Sequence, residues 1–160
     1  MKPPAARPGS KASKRSAARL AAVQALYQMD IAQTNLPDLL AEYQAWRLGH
    51  ELEGEQYREA DRDFFADVVA GVVREQRTLD PKIDSTLTPD WPLRRLDAIV
   101  RAILRAGSFE LMFRPDVPAR AIINEYLDVT HAFFEKEEPR LVNGVLDRIA
   151  REVRGGEFGG

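Results

Sequence analysis

The residue types that usually carry enzyme chemistry are sparse in this chain of 160 residues. Its two histidines, His50 and His131, lie in no HExxH motif and in no other metal-ligand spacing. Cysteine is absent, which excludes disulfides, thiolate ligands and a cysteine nucleophile. Neither a glycine-rich phosphate loop nor a GxSxG motif occurs. The sequence therefore predicts a protein that is not an enzyme and that uses no metal or cofactor.

Acidic residues offer one other route to chemistry. Asp61, Asp63 and Asp67 fall close together and could serve as metal ligands or as an acid/base pair. Acidic side chains are also common where a helix begins, because they interact favourably with the positive end of its dipole. We interpret this cluster as the start of a helix.

Cationic residues near the amino terminus point to binding. Up to position 19 the sequence contains six lysines and arginines and no acid, whereas the whole chain has a net charge of −2. A basic segment on an acidic body predicts a local contact with an anionic partner, although a solvated tail gives the same pattern. Lys14, Arg15 and Arg19 are the candidates for neutralising phosphates. Arg15 and Arg19 are four residues apart, so a helix places them on one face.

Aromatic residues would add a second mode of recognition. Single-stranded RNA is bound partly by stacking its bases on exposed aromatic rings. Tyr27 and Phe133 are the candidates, and both also fit the helical spacing of core residues. The sequence leaves open whether each ring faces RNA or packs in the core.

The elements that must position these residues are helices. Apolar residues recur at steps of three and four, and no segment alternates with the period of a strand. We predict an all-α protein of two antiparallel three-helix bundles packed into one compact domain. Its parts are a flexible basic arm (1–13), an N-terminal helical subdomain (14–88) and a C-terminal helical subdomain (89–156). No apolar run is long enough for a signal peptide or a membrane span, so we expect a cytoplasmic protein.

Local signals predict where helices begin, end and meet. Asp80-Pro81 is expected to end the third helix, and the fourth is expected to begin near Leu93. Asp116 offers a capping carboxylate for the fifth helix. Glycine within a helix costs about 1 kcal/mol relative to alanine, so we expect Asn143-Gly144 to mark a close approach of two helices.

Four segments resemble motifs of the NusB family, in the same order and at similar spacing. They are AARLAAVQALYQMD (17–30), LDAIVRAILRAGSFEL (96–111), DVPARAIINEYLDVT (116–130) and LVNGVLDRI (141–149). Together they cover most of the chain beyond residue 14. On these motifs the chain is identified as a member of the NusB family of transcription antitermination factors.

This resemblance implies a binding function without catalysis. Members of the family bind the boxA element of nascent ribosomal RNA together with NusE, a small-subunit ribosomal protein. The pair joins the transcription elongation complex and holds the RNA near the polymerase, which then resists termination. The implied partners are therefore boxA-type single-stranded RNA, NusE and the elongation complex, and a homodimer is an open alternative.

The resemblance also implies which residues bind RNA. The matched features of the family are the arginine-rich start of its first helix, its ALY tyrosine, the aromatic residue that ends its fifth helix, and the loop and helix start that come next. The matching residues are, in order, Lys14, Arg15, Arg19, Tyr27, Phe133, Glu137, Arg140 and Leu141. At Leu141 a leucine replaces the family's usual phenylalanine, which removes one ring for stacking.

Two other functions fit the same sequence. The amino-terminal domain of ribosomal RNA cytosine methyltransferases is similar to NusB, so the chain could be a stand-alone RNA-binding module related to that domain. A homo-oligomeric helical scaffold, whose basic arm is incidental, is the alternative from a different class. Light scattering with and without RNA discriminates the scaffold from an RNA-binding factor.

Overall fold

A computed structural model describes residues 11–43 and 61–159. Over these residues the fold consists of six α-helices and two short 3-10 turns and contains no strand, so the prediction of an all-α fold is confirmed. The helices are α1 (Lys11–Ala32), α2 (Leu36–Glu42), α3 (Arg62–Asp84), α4 (Ala98–Phe113), α5 (Ala119–Phe133) and α6 (Glu137–Val153), and the turns are Leu93–Arg95 and Gly155–Phe158. Most of the predicted basic arm and the loop that carries His50 lie outside the described residues.

Helix α4 is the central element of the fold. It packs against α1, α3, α5 and α6, and ten of its sixteen residues are buried. A helix surrounded in this way is apolar on most sides, because little of it faces water. Two ion pairs, Arg19 with Glu110 and Asp30 with Arg101, show that α1 runs antiparallel to α4 along its length. The outer face of α1 is thereby presented to solvent.

Helices α3 and α4 approach each other closely at Gly71. A Cβ built on Gly71 would lie 2.2 Å from two ring atoms of Phe109, well inside van der Waals contact. The buried Phe109 ring occupies the space that any larger residue at position 71 would need. This glycine therefore sets the spacing of α3 against α4.

The predicted break at Asp80-Pro81 is wrong, because α3 continues through Pro81 to Asp84. Proline removes one helical hydrogen bond and strains the preceding turn. Leu79 and Ile83, on either side of it, are fully buried, and Asp80 accepts hydrogen bonds from Arg105 at 2.9 and 3.0 Å. Tertiary packing of this last turn outweighs the local cost.

The predicted start of the fourth helix is also corrected. The segment Leu93–Arg95 forms a 3-10 turn, and α4 begins at Ala98. Asp97 is the reason, because its side chain accepts hydrogen bonds from the amides of Ile99 and Val100.

The fifth helix is not capped by Asp116 as predicted, but by a residue from another part of the chain. The carboxylate of Asp116 accepts two hydrogen bonds from Arg114, at 3.0 and 2.9 Å, and does not cap α5. The amide of Ala119, at the start of α5, instead donates to Oε1 of Glu157 at 2.9 Å. The cap thus belongs to the 3-10 turn that follows α6.

Arg154 anchors this turn. Carbonyl groups at the end of a helix have no partner within the helix, and Arg154 supplies one. Its guanidinium donates to Glu157 at 3.0 Å and, at 2.6–3.0 Å, to the main-chain oxygens of Glu110, Leu111, Arg114 and Val117. Arg154 and Glu157 together form what we call the C-terminal clasp, which joins the end of α4 to the start of α5.

Candidate nucleic-acid interface

Arg19, one of the three predicted phosphate contacts, lies in the core. The residue is 3% exposed, and its Nε and Nη2 donate to the two carboxylate oxygens of Glu110, at 2.8 and 2.9 Å. Burial works against the charge of Arg19, but the hydrogen bonds and negative charge of Glu110 outweigh it and raise the pKa of the guanidinium. The expected surface position is therefore corrected, since Arg19 joins α1 to α4 and does not face solvent.

This ion pair is the centre of a buried polar network between α1, α4 and α5. Tyr126 donates its hydroxyl to Glu110, and burial together with that carboxylate raises the pKa of Tyr126 well above its usual value. Glu125 lies 3.6 Å from Nη1 of Arg19 and accepts hydrogen bonds from Ser16 at 2.8 and 2.9 Å. Burial raises the pKa of Glu125, although Ser16 and Arg19 counteract it. The network fixes the rotation of α1 and so decides which of its side chains face solvent.

Arg15 is half-buried one turn before Arg19. Both guanidinium groups lie over the ring of Phe64, at 4.7 and 4.8 Å from its centre, so the two arginines share one face of α1 as predicted. Arg15 also lies 3.8 Å from Asp61 and 3.9 Å from Asp116. Its charge is therefore partly neutralised within the protein.

Lys14 is the exposed member of the predicted cationic group. Its side chain forms no ion pair with any residue of the segments 11–43 and 61–159. Its main-chain oxygen accepts a hydrogen bond from the amide of Asp61 at 3.0 Å, which holds the start of α1 against the start of α3. This hydrogen bond thus fixes the position of the Lys14 backbone, while the Lys14 ammonium group remains in water.

Tyr27 and Phe133 lie together on the surface, far from Lys14. Each is 37% exposed, and both line one groove of about 410 Å³, which we call the aromatic groove. Tyr27 is thirteen residues beyond Lys14 on α1, a separation of about 20 Å. Of the two positions that the sequence left open, the core is excluded for both rings, because each is partly exposed. The volume is within the range of pockets that hold small ligands.

Sequence reasoning did not identify the other residues that line the aromatic groove. Ile31 is more than half exposed, and the carboxamides of Gln24 and Gln28 also line the groove. The Oε1 atom of Gln24 is buried and has no hydrogen-bond partner within the described segments. A buried acceptor without a partner costs free energy, because it has lost its hydrogen bonds to water. The spacing of these residues on α1 gave no signal, because a core stripe has the same spacing.

Glu137 and Leu141 line a second groove, of about 540 Å³, at the start of α6. Trp91, which sequence reasoning did not single out, is 60% exposed and also lines this groove. The charged residues of the lining are one cation and three carboxylates, namely Arg95, Asp97, Glu137 and Glu138. Arg140 is exposed on the same turn of α6 but does not line the groove. The predicted residues therefore do not form one continuous site. Lys14 and Arg15 lie at the start of α1, whereas Arg19 is in the core. Tyr27 and Phe133 line the aromatic groove, Glu137 and Leu141 line the second groove, and Arg140 lies outside both linings.

The close helix approach predicted at Asn143-Gly144 is wrong. Both residues are exposed on α6, and a Cβ at Gly144 would meet no atom within 4 Å. A close approach occurs instead at Gly107 of α4, where a Cβ would lie 3.0 Å from the side chain of Leu146. Gly144 thus has no packing role among the residues that the structure describes.

No group of three or more histidine, aspartate or glutamate side chains in the described segments is placed to hold a metal ion. None of the described helices is long and apolar enough to cross a lipid bilayer.

These features define an all-helical protein whose candidate site is a binding surface of grooves and exposed cations. Its sequence matches the NusB family over residues 16–151. It is 60% identical over 148 residues to the transcription antitermination protein NusB of Nitrobacter hamburgensis, an alignment that covers 92% of each chain. The corresponding protein of Rhizobium rhizogenes is 59% identical over 149 residues, with 93% of each chain covered. The chain therefore belongs to the NusB family of transcription antitermination proteins.

Solved structures agree with this assignment. The NusB structure of T. maritima superposes with a TM-score of 0.74 at 26% sequence identity and covers 99% of both chains. A crystal structure of the antitermination factors NusB and NusE in complex with double-stranded RNA gives a TM-score of 0.70 at 25% identity, covering 87% of this chain and 97% of the other. Antitermination is a regulatory function that depends on binding, and the family membership agrees with the prediction of a protein that is not an enzyme.

Proposed function

We propose that this chain binds a boxA-type single-stranded element of nascent ribosomal RNA together with NusE, and acts in the cytoplasm within the transcription elongation complex. The observation that carries the RNA part is the pairing of two half-exposed rings, Tyr27 and Phe133, in one groove. The related NusB that was crystallised with NusE and RNA has the same fold, which supports both partners.

Bases bind in the aromatic groove. A splayed base stacks on the ring of Tyr27 or Phe133, because every base presents an apolar face that water solvates poorly. Gln24 and Gln28 line the same groove. The Nε2 of Gln28 donates to Glu42 at 3.3 Å, so Gln28 offers its oxygen as an acceptor to a base edge.

Phosphates bind along the same helix. Lys14 is exposed and lacks an ionic partner within the described segments, so its charge is free to replace a counterion of the RNA. Arg15 contributes less, because Asp61 and Asp116 already lie within 4 Å of its guanidinium. Arg19 is not part of this interface, since Glu110 binds it in the core.

The start of α6 extends the surface. Arg140 is exposed and offers a further phosphate contact. Glu137 can accept a hydrogen bond from the amino group of a cytosine, whereas its charge repels phosphate. Leu141 offers apolar contact without stacking.

The proposed action is tethering. No covalent step is involved; the binding energy of RNA, NusE and the elongation complex holds the nascent transcript near the polymerase, so that its local concentration there rises.

The experiment that tests this function measures RNA affinity with and without purified NusE. A boxA-type RNA is compared with a scrambled RNA of the same composition at fixed salt, because phosphate contacts alone give sequence-independent affinity. We expect a preference for boxA that NusE increases. Equal affinity for both RNAs, with and without NusE, would reject the proposal. Light scattering of the same samples shows whether the chain binds as a monomer or as a homodimer.

A further inference from the structure

The aromatic groove contains one carboxamide oxygen that a ligand can reach. Its lining includes two glutamines, Gln24 and Gln28. The Oε1 of Gln24 is buried, whereas the Oε1 of Gln28 is not buried and accepts no hydrogen bond within residues 11–43 and 61–159. A base stacked in the groove can therefore donate to Gln28 but not to the oxygen of Gln24.

Glu42 decides which end of the Gln28 carboxamide faces the groove. An ionised carboxylate only accepts hydrogen bonds, whereas a carboxamide has a donating NH2 end and an accepting oxygen. The Nε2 of Gln28 donates to Glu42 at 3.3 Å, in a half-buried site. Turning the carboxamide over would place two oxygens against each other. Because Gln28 lines the groove and Glu42 does not, the oxygen is the end that remains for a ligand.

Packing of α2 keeps Glu42 beside Gln28. Leu39, one turn earlier on α2, is fully buried. Tyr43, the next residue after Glu42, is 1% exposed, and its ring stacks on Phe65 of α3 with 5.2 Å between the ring centres. Close packing on both sides of Glu42 leaves the end of α2 no room to shift, so the carboxylate stays within reach of Gln28.

An acceptor held in this way distinguishes bases by their edges. Stacking on Tyr27 or Phe133 tolerates every base, because each base has a flat apolar face. The edges differ, since adenine and cytosine carry an exocyclic amino group that donates, whereas guanine and uracil carry a carbonyl oxygen at the corresponding place. The oxygen of Gln28 accepts a hydrogen bond from an amino group and repels a carbonyl oxygen.

We propose that Glu42 is a positioning residue of the RNA site, which acts through Gln28 to make the aromatic groove select adenine or cytosine over guanine or uracil. This inference rests on the proposed function and deepens it, because it names the class of base that the groove takes. Glu42 acts on the specificity of the site without touching the RNA.

The first part of the test finds the base that the groove binds. Affinity of the full chain with NusE is measured for boxA-type RNAs in which each adenine is replaced in turn by purine riboside and each cytosine by 2-pyrimidinone riboside. These analogues lack only the exocyclic amino group. We expect one position at which the wild type binds about fivefold more weakly, as for the loss of one hydrogen bond. Gln28→Ala should abolish this sensitivity.

Glu42→Gln then separates positioning from other roles. A glutamine at position 42 both donates and accepts, so the carboxamide of Gln28 is free to turn over. The fivefold effect at that position should fall below about twofold. A purely structural or purely electrostatic role would change the affinity for every RNA by the same factor and leave this ratio unchanged. Glu75→Gln, which alters another half-buried carboxylate, is the matched control and should keep the wild-type ratio.

Two results would overturn the inference and leave the proposed function intact. A ratio that stays at the wild-type value in Glu42→Gln would show that Glu42 does not orient Gln28. The absence of any amino-sensitive position that depends on Gln28 would show that the groove does not select such bases. A wild-type chain that shows no boxA preference would reject the proposed function itself, and the inference with it.

Discussion

Arg19 and Glu110 form a bidentate ion pair in the core, with hydrogen bonds of 2.8 and 2.9 Å. Glu110 is fully buried and is bonded in addition by Tyr126. Two buried charges are tolerated here because each forms the hydrogen bonds that the other lost when it was removed from water. Truncating one of them leaves the other buried without a partner.

We therefore predict that Arg19→Ala lowers the free energy of unfolding by about 3–5 kcal/mol. Urea denaturation measures the loss, and Arg74→Ala, which removes an exposed arginine 3.6 Å from Glu75, should cost less than about 1 kcal/mol. RNA affinity per folded molecule should not change. An Arg19→Lys variant that stays fully stable but binds RNA weakly would show instead that Arg19 contacts phosphate.

Lys14 should contribute phosphate binding alone. Replacing it by alanine removes one counterion-releasing contact, so the slope of log affinity against log salt should become shallower by about 0.7. Fluorescence anisotropy with boxA-type RNA over a salt series measures this slope. Lys82→Ala is the control, because Lys82 pairs with Glu152 on another part of the surface. A slope that does not differ from that of the control would show that Lys14 does not contact the RNA phosphates.

Phe133 should contribute base stacking. Phe133→Ala is expected to weaken RNA binding by about 1–3 kcal/mol, the usual value of one stacked base. Circular dichroism should show unchanged helicity, because the ring is half-exposed. Phe113→Ala is a matched control, since Phe113 is equally exposed but stacks on Phe109 outside the groove. Loss of helicity in the Phe133 variant would mean that the ring is needed for folding.

The C-terminal clasp should matter for stability. Arg154→Ala removes the donors for four main-chain oxygens and for Glu157, so we expect a loss of about 2–4 kcal/mol in the free energy of unfolding. Arg148→Ala, which breaks one exposed pair with Glu152, should cost about 0.5 kcal/mol or less. Chemical denaturation of both variants provides the comparison. Equal midpoints would indicate that the clasp is dispensable.

Asp116 should make stability depend on pH. The hydrogen bonds from Arg114 lower the pKa of this carboxyl below its ordinary value of 3.8 in the folded protein. Its contribution is therefore present at neutral pH and is lost as the pH falls through 3.8 toward the lowered value, because the unfolded chain takes up the proton first. Asp116→Asn should be less stable than the wild type at neutral pH, and the difference should shrink in acid. Urea titrations at several pH values measure it, and a constant difference would contradict the assigned cause.

The all-α class could be predicted from the sequence, because the spacing of apolar residues is a local property. Several helix boundaries could not be predicted in this way. Pro81 is a strong local signal for a helix end, and burial of Leu79 and Ile83 overrides it. The cap of α5 comes from Glu157, thirty-eight residues away, and no local pattern reveals such a partner.

The candidate site could be predicted from the sequence only in part, because exposure also depends on tertiary packing. Charge and residue type identified Lys14, Tyr27 and Phe133, whereas exposure depends on the rotation of each helix, which the packing sets. Arg19 shows the limit, because its burial depends on a carboxylate 91 positions later in the chain. Trp91 is the converse case, a large apolar residue that the fold leaves on the surface.

The contact between Gly71 and Phe109 affects how genetic screens of this chain should be interpreted. Any substitution at position 71 forces a side chain into the Phe109 ring, so the mutant protein will be scarce in the cell because it folds poorly and is degraded. A screen for lost antitermination would recover such mutants as readily as those of the proposed RNA-binding surface. Measuring protein abundance alongside the phenotype separates the two groups. A mutant at position 71 is then the reference for a phenotype that is caused by low protein abundance.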